Sequence, residues 1–384
     1  MAASEGVRKL KEHYLFGFAK FFSFLNHQKS SGLTQGVQVN AKGDDKMSYM
    51  TPVRINVAPN FDKTCVTWLT SFHLSEDTGK VHVCGWCNGS KITANENVLL
   101  PIESKILDVQ GGWKELILIS NDGKCHMISN LHNDWTAAVY ENEAKFTTCD
   151  VGDMHTIVVD EHGQAYKLET VNKIHQSLKT DNQMKSDSRL FSPIQLKVKV
   201  DLVSCGKEHV LLLNTTSGHV FSFGLGSRGQ LGHGGVDAET TPKVIEALAG
   251  IRIKQVAAGG WHSLALSDIG DIYTWGWNNH GQLGITCLPP EVPQAFHMLP
   301  YIIEFPQECM VNHIACGTRH SAAVTSEPKS VWTWGWGQYG QLGHGDSLDR
   351  TVPTVVEYFQ NTQILEITCG PWQTVVTLES IYEK

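Results

Sequence analysis

An all-β, seven-bladed β-propeller of four-stranded antiparallel blades is the fold this sequence predicts, and three observations predict it. The stretch CGTRHSAAVTSEPKSVWTWGWGQYGQLGHGDSLDRTVPTVVEYF, residues 316–359, recurs upstream as CGKEHVLLLNTTSGHVFSFGLGSRGQLGHGG from Cys205 and as AGGWHSLALSDIGDIYTWGWNNHGQLG from Ala258. Each unit splits into two halves, and each half occurs seven times along the chain, about 55 residues per unit. The count is out of phase at the ends: the chain opens on a second half, YLFGFAKFF from Tyr14, and closes on a first half, CGPWQTVVTLES from Cys369. Pairing these two orphans closes a ring within one blade and removes the sheet edges that an open array would expose.

The two halves are justified by their residues. A first half, as in HSLAL or HVLLL, is a short apolar run after a small-Gly pair, and it ends at a turn such as DIGD at 268–271. That pattern reads as strand, turn, strand. A second half, as in IYTWGW or VWTWGW, is aromatic and β-branched and stops in a Gly-rich loop of the form G-x-G-x-x-G-Q-L-G. Neither run alternates cleanly between apolar and polar, as expected of strands covered on both faces and stacked between neighbours. In chain order, first halves fall near Trp68 and from Gln110, Val151, Cys205, Ala258, Cys316 and Cys369; second halves fall from Tyr14, Val81, Lys124, Gln164, His219, Asp271 and Val331. The organisation is a single propeller over residues 1–384, with strong repeats at 205–384, degenerate ones at 14–166 and a mobile loop at 167–200. That loop is rich in Lys, Asn, Gln, Ser and Asp and lacks a sustained period before Leu190, so it is expected to stand out from one face of the ring.

Composition limits the function. With 41% hydrophobic residues, 35 Gly and 11 Trp in 384 residues, the chain has ample material for a large core. No run approaches the roughly 18 uncharged apolar residues of a membrane helix, and MAASEGVRKLKEH is charged where a signal peptide is apolar, so a cytosolic or nuclear address is expected. A net charge of −8 with no basic tail disfavours tight, direct DNA binding, which needs clustered Lys and Arg on phosphates.

Several motifs invite chemistry that the repeat explains better. Cys84 and Cys87, in the spelling CGWC, imitate a redox pair, yet their Gly85 and Trp86 align with Gly276 and Trp277 of a later unit. The ten cysteines read as buried free thiols, as at Cys205, Cys316 and Cys369, each followed by Gly. The spelling G-x-G-x-x-G at 224–229 follows a strand, but QLGHGG carries no helical period, so phosphate cradling is not expected. His155, His209, His262 and His320 share one repeat position; one per blade cannot share a metal, and their expected task is a hydrogen bond that stitches a blade. Gln373 fills that position in the last first half, which fits hydrogen bonding and not acid-base work. Trp275 and Trp277 flank Gly276, and alternation along the strand is expected to put one in the core and leave the other for a partner-facing surface. No catalytic constellation, cofactor site or metal site stands out.

CGxxH, then WGWGxxGQLGHG, then a Pro-containing strand, resembles the repeat of the regulator-of-chromosome-condensation family over residues 205–384. AGGWHS, IYTWGWN, SLDR ahead of VEYF, and TCGPW together look like its small, single-propeller vertebrate members. Toward the N-terminus the signature fades: GQLG is absent from the units at Val81, Lys124 and Gln164, and Ala19 and Phe22 stand where Gly is usual. The resemblance implies binding and no enzymatic activity. The founding member is a guanine-nucleotide exchange factor docked on nucleosomes, other members use the propeller faces as platforms, and the small kind is associated with a jumonji-type, iron and 2-oxoglutarate dioxygenase acting on chromatin. The implied function is a monomeric, non-catalytic adaptor for such an oxygenase, in nucleus and cytoplasm with indirect chromosome association. An exchange factor for a small GTPase and a generic scaffold are the alternatives; exchange needs an inserted wedge and a basic arm, neither of which can be identified. Under the oxygenase reading, Arg189, the only Arg of its loop, is the candidate partner-contact or modified residue.

Overall fold

The structure is a computed structural model, and it describes residues 8–18, 48–55, 61–67, 70–75, 77–87, 90–92, 98–100, 102–112, 115–129, 137–140, 143–169, 191–285, 295–305, 308–360 and 362–382. The chain begins with β1 (Arg8–Phe18) and β2 (Ser48–Ile55), which wait for partners from the other end. Blade 1 follows, with β3 (Lys63–Val66), β4 (Thr70–Ser75), β5 (Lys80–Cys87) and two short pieces, β6 (Ser90–Ile92) and β7 (Val98–Leu99), that share the outer position against β5. Blade 2 is β8 (Ile106–Gly111), β9 (Glu115–Ser120), β10 (Cys125–Ser129) and β11 (Ala137–Tyr140). Blade 3 is β12 (Phe146–Val151), β13 (Thr156–Asp160), β14 (Ala165–Leu168) and β15 (Phe191–Pro193). Blade 4 is β16 (Leu202–Cys205), β17 (His209–Asn214), β18 (His219–Gly224) and β19 (Glu239–Val244). Blade 5 is β20 (Ile253–Ala258), β21 (His262–Ser267), β22 (Ile272–Trp277) and β23 (Phe296–Ile302). Blade 6 is β24 (Val311–Cys316), β25 (His320–Ser326), β26 (Lys329–Gly335) and β27 (Arg350–Val355).

Blade 7 closes the ring as the orphan count requires. The last two strands, β28 (Gln363–Cys369) and β29 (Gln373–Tyr382), join the first two in the order β2-β1-β29-β28. β1 and β29 run antiparallel in unbroken register from Arg8 opposite Tyr382 to Gly17 opposite Gln373. The N-terminal strand therefore starts at Arg8, six residues before the YLFGF run, while residues 19–24 of the predicted half lie outside the described residues.

The strands expected to be covered on both faces are so covered. All six residues of β17 and of β21 are buried, because each sheet sandwiches its central strands between two neighbours. The core is a set of apolar layers between blades. Leu264, Leu266 and Ile272 of blade 5 meet Ile314, Ala323, Trp332 and Trp334 of blade 6. At the closure, Phe16, Val376 and Leu378 of blade 7 meet Ala322, Val324 and Val331 of blade 6 and the ring of Phe359.

Side chains of the innermost strands tie blade to blade where no backbone ladder can. The Asp108 carboxylate accepts the Cys149 N–H at 3.2 Å and Gln255 Oε1 accepts the Ile314 N–H at 3.1 Å, while Asp150 takes the Cys205 N–H at 2.7 Å and Ser204 Oγ the Ala258 N–H at 2.9 Å. The seven cysteines whose side chains are described are free, with Cys309, Cys316 and Cys369 half-buried and not fully buried, and two join this work: Cys205 and Cys316 point Sγ at the carbonyls of Asp150 and Ala257 in the preceding blade, at 3.5 and 3.4 Å. Burial pushes both thiols well above the ordinary range, which keeps them protonated as donors. Cys84 and Cys87 lie on β5, but their side chains are outside the described residues.

Candidate interaction face

Every blade places two loops at the same end of the ring: the one between its first and second strands, and the one after its third. Antiparallel pairing dictates this, since His262 at the start of β21 stands opposite Gly276 near the end of β22. The same pairing sets Thr156 opposite Leu168, so β14 delivers its chain to this end at Glu169 and β15 takes it up again at Phe191. The predicted loop thus leaves and rejoins the blade at this end. Its described flanks belong to the blades: Phe191, Ile194 and Val200 are buried apolar anchors. Arg189 and the rest of 170–190 lie outside the described residues.

The shared histidines are structural, and they stitch blades to one another rather than one blade to itself. His209, His262 and His320 are fully buried, and the Nε2 of each lies 2.9–3.0 Å from a hydroxyl of the following blade, Ser263, Ser321 and Thr374. Each hydroxyl donates onward to the main-chain carbonyl of the GQLG glutamine of the preceding blade: Ser263 to Gln230, Ser321 to Gln282, Thr374 to Gln341. The hydroxyl must then accept from the ring, so Nε2 carries the proton in all three. Burial lowers the imidazole pKa to about 3 at His209 and His262 and about 4 at His320, so these rings stay neutral and supply no proton at neutral pH. At His155 the pattern changes. Val210 stands where Ser263 and Ser321 stand, and the His155 ring instead meets Phe223 edge-on at 5.6 Å.

The same glutamine carbonyls hold the buried tryptophans. Trp275 Nε1 donates to Gln230 O at 2.8 Å and Trp334 Nε1 to Gln282 O at 2.9 Å. Both are completely buried, while Trp277 and Trp336 are half-buried at the loop end. One tryptophan of the pair is therefore core and the other faces outward, as expected, but simple alternation is not the reason. Residues two apart on a regular strand share a side. Here the pairing to β23 shifts register between Thr274 and Gly276, and Gly276 takes φ +99°, which turns Trp277 away from Trp275. Only Gly fits: a Cβ would stand 2.5 Å from the Trp261 carbonyl.

The rings turned outward form a continuous belt with cations. Trp261 and Trp277 meet edge-to-face at 5.4 Å, Trp336 meets Tyr339 at 5.2 Å and Trp372 at 6.1 Å, and Tyr339 stacks on Trp372 at 5.3 Å. Lys207 lies 5.0 Å from the Trp261 ring centre, and Arg228 lies 4.6 Å from the same centre and 5.8 Å from that of Trp277. Arg319 stands 5.2 Å from the ring centres of both Trp277 and Trp336. Such cation–π pairs hold a long side chain in place at a modest gain each. His280 sits between the last two tryptophans; its Nδ1 donates to Asp349 at 2.9 Å, which leaves Nε2 as an acceptor 3.5 Å from Arg319 Nη1.

Sequence reasoning pointed to the outward tryptophan of the pair but passed over the cations. Lys207, Arg228 and Arg319 fall at the x positions of CGxxH and GxGxxG, which look like filler when one unit is read alone. The signal lay in reading those positions across successive units against the tryptophans.

The innermost strands surround a central channel of about 320 Å³, lined by residues of all seven blades. Asp150 faces it, and burial raises its carboxyl to about 6 despite the N–H groups of Cys205 and Val151 that favour the charged form. Among the described residues no three His, Cys, Asp or Glu side chains converge to hold a metal ion, and no helix is long and apolar enough to cross a membrane.

The chain is a seven-bladed β-propeller with split closure, tied between blades by a His–hydroxyl–Gln stitch. The RCC1-like domain family matches residues 129–376, and the chain belongs to that family. It is 41% identical over 216 residues to RCC1 domain-containing protein 1 of Mus musculus, covering 48% of this chain and 57% of that protein. The Homo sapiens protein of the same name is 38% identical over 220 residues, covering 48% and 58%. The chain thus matches little more than half the length of these relatives. Among solved structures, yeast RCC1 (Prp20) bound to Kap60 superposes with a TM-score of 0.75 at 17% identity, covering 100% of this chain and 94% of that one, a likeness of fold.

Proposed function

We propose that this propeller is a non-catalytic protein-interaction module, an adaptor for a jumonji-type iron and 2-oxoglutarate dioxygenase in chromatin regulation, acting in the nucleus and in the cytoplasm. The observation that carries the interaction reading is the aromatic and cationic belt. Its half-buried Trp261, Trp277, Trp336 and Trp372 are left over after Trp275, Trp334 and the histidines have stitched the ring. Trp, Tyr and Arg are the residues that dominate protein interfaces, and here they are fixed on rigid loop ends with little ordering cost. The oxygenase as partner rests on the resemblance of AGGWHS, IYTWGWN and TCGPW to the small members of the family. The interval 170–190, with Arg189, opens at the same end and is proposed as a second contact for that partner.

Affinity purification of the chain from nuclear extract, read by mass spectrometry, tests the reading. A dioxygenase among stoichiometric partners is expected; a small GTPase retained only when nucleotide is stripped would replace the adaptor with an exchange factor. For the loop, residues 176–188 are replaced by a Gly-Ser linker and, separately, Arg189→Ala is made. Unchanged melting with weakened partner binding is expected, and unchanged binding in both would remove the loop from the interface.

A further inference from the structure

We infer that the belt takes an acidic, extended polypeptide segment of a partner, with Arg319 as the central carboxylate receptor. The inference rests on the interaction-platform reading and names the chemistry which that face recognises.

Arg319 carries the argument because its charge has no opposite partner among the described residues. Lys207 has Asp153 at 3.2 Å and Arg228 has Glu208 at 3.7 Å, but no carboxylate among the described residues pairs with Arg319. Its polar neighbour is His280 Nε2, and Asp349 fixes that ring as an acceptor from the far side, so His280 orients the guanidinium without neutralising it. The guanidinium is held by Trp277 and Trp336 at equal distance. A planar fork held this way leaves N–H groups free for a bidentate carboxylate, in a setting that the rings make less watery and hence electrostatically stronger.

The rings themselves point away from nucleic acid. Single-stranded nucleic acid needs bare aromatic platforms on which bases stack. Trp261 and Trp277 already carry cations over their rings, and Tyr339 and Trp372 stack on each other. The face therefore presents N–H donors. Arg228, over Trp261 and Trp277, supplies a second, partly paired donor set beside Arg319. The Arg228 and Arg319 guanidiniums stand 5.8 and 5.2 Å from the Trp277 ring centre, so an extended segment crossing that ring, with carboxylates at alternate positions on one side, can offer one to each.

The test is fluorescence polarisation with a fluorescein-labelled Glu/Asp-rich peptide, a matched Gln/Asn-rich peptide and a single-stranded DNA oligonucleotide, on the wild-type chain and on Arg319→Gln and Arg319→Lys. The acidic peptide binds wild type, and more tightly at low salt. Arg319→Gln weakens it about tenfold or more, and Arg319→Lys, which keeps the charge and loses the fork, falls between. Melting temperatures stay at the wild-type value. Equal binding by Arg319→Gln, equal binding of the neutral peptide, or a tighter hold on DNA that is lost in the same variant would each overturn the inference. The variants are also used to capture partners from nuclear extract. If Arg319→Gln captures what wild type captures, the acidic-segment inference fails and the platform reading stands; if wild type captures nothing, the platform reading fails.

Discussion

The buried histidines make a pH prediction with a definite sign. His209, His262 and His320 have folded pKa values of about 3, about 3 and about 4, below the 6.5 of an unfolded chain. The neutral ring is the form the fold favours, so its stability is full above 6.5 and is lost as pH falls toward those values, at about 1.4 kcal/mol per unit of difference for each ring. Asp150 runs the other way. Its folded value of about 6 lies above 3.8, so its contribution is present below 3.8 and lost as pH rises through about 6. Three rings outweigh one carboxyl, and the melting temperature is expected to fall as pH is lowered from 6.5 to 4. Gln373 shows that a Gln fits the histidine position, its carbonyl accepting the Gly370 N–H as that of His320 accepts the Gly317 N–H. His320→Gln should therefore flatten the acid limb; a slope equal to wild type would show that the ring's titration is not the cause. The tryptophan pair gives a second test by chemical denaturation. Trp275→Ala opens a cavity and strips the Gln230 carbonyl of one donor, at about 3–5 kcal/mol, while Trp277→Ala should cost far less. Equal losses would mean that the outward ring is as much core as the inward one.

At the scale of the element, the third strand of a blade combines a core half with a displayed half, and the hinge between them is one glycine. Register shifts occur between Ser222 and Gly224, Thr274 and Gly276, and Thr333 and Gly335, and β1 repeats the shift between Leu15 and Gly17. Gly335 takes φ +101°, and a Cβ there would meet the Arg319 carbonyl at 2.6 Å. Gly335→Ala should lower the melting temperature, by about 1–3 kcal/mol in stability, and loosen the very loop that carries Arg319. Gly235→Ala, with nothing within 4 Å, is the control that should leave melting unchanged. This hinge also marks how far the sequence could be read. Strand order, blade number and ring closure follow from counting halves, because the apolar runs and turn residues are local signals. The outward turn of Trp277 needs a bulge, which depends on a partner strand, β23, that no local period announces. The stitch between blades was equally hidden: CGxxH shows the histidine, but its hydroxyl partner lies 54 residues on for His209 and 59 for His262, in the following unit. The belt's cations depend on the same neighbour relation, since Arg228 of blade 4 serves the tryptophans of blade 5.

For the whole molecule, closure is the property on which the ring's integrity turns. β1 contributes Leu15 and Phe16 to the core and pairs with β29 from Arg8 to Gly17, and Phe16 takes the place that Trp275 and Trp334 hold in their blades. Its ring lies against Gly343 of blade 6 as those of Trp275 and Trp334 lie against Gly232 and Gly284, so one strand completes a sheet and also seals a junction between blades. Deleting residues 1–26 removes β1, leaves the edge of β29 unpaired and uncovers Phe359, Val376 and Leu378. The loss should be on the order of 5 kcal/mol from buried apolar area alone, enough to unfold a domain of ordinary stability or to send it into edge-to-edge aggregation. Calorimetry of the truncated chain should show a lowered, broadened transition. Because the damage is a missing strand and not an altered core, a synthetic peptide of residues 8–18 added in excess should raise the transition again by filling the edge, in the manner of strand addition. A truncated chain that melts at the full-length temperature, or one that the peptide cannot rescue although it remains monomeric, would show that the blades hold the ring without their closing strand.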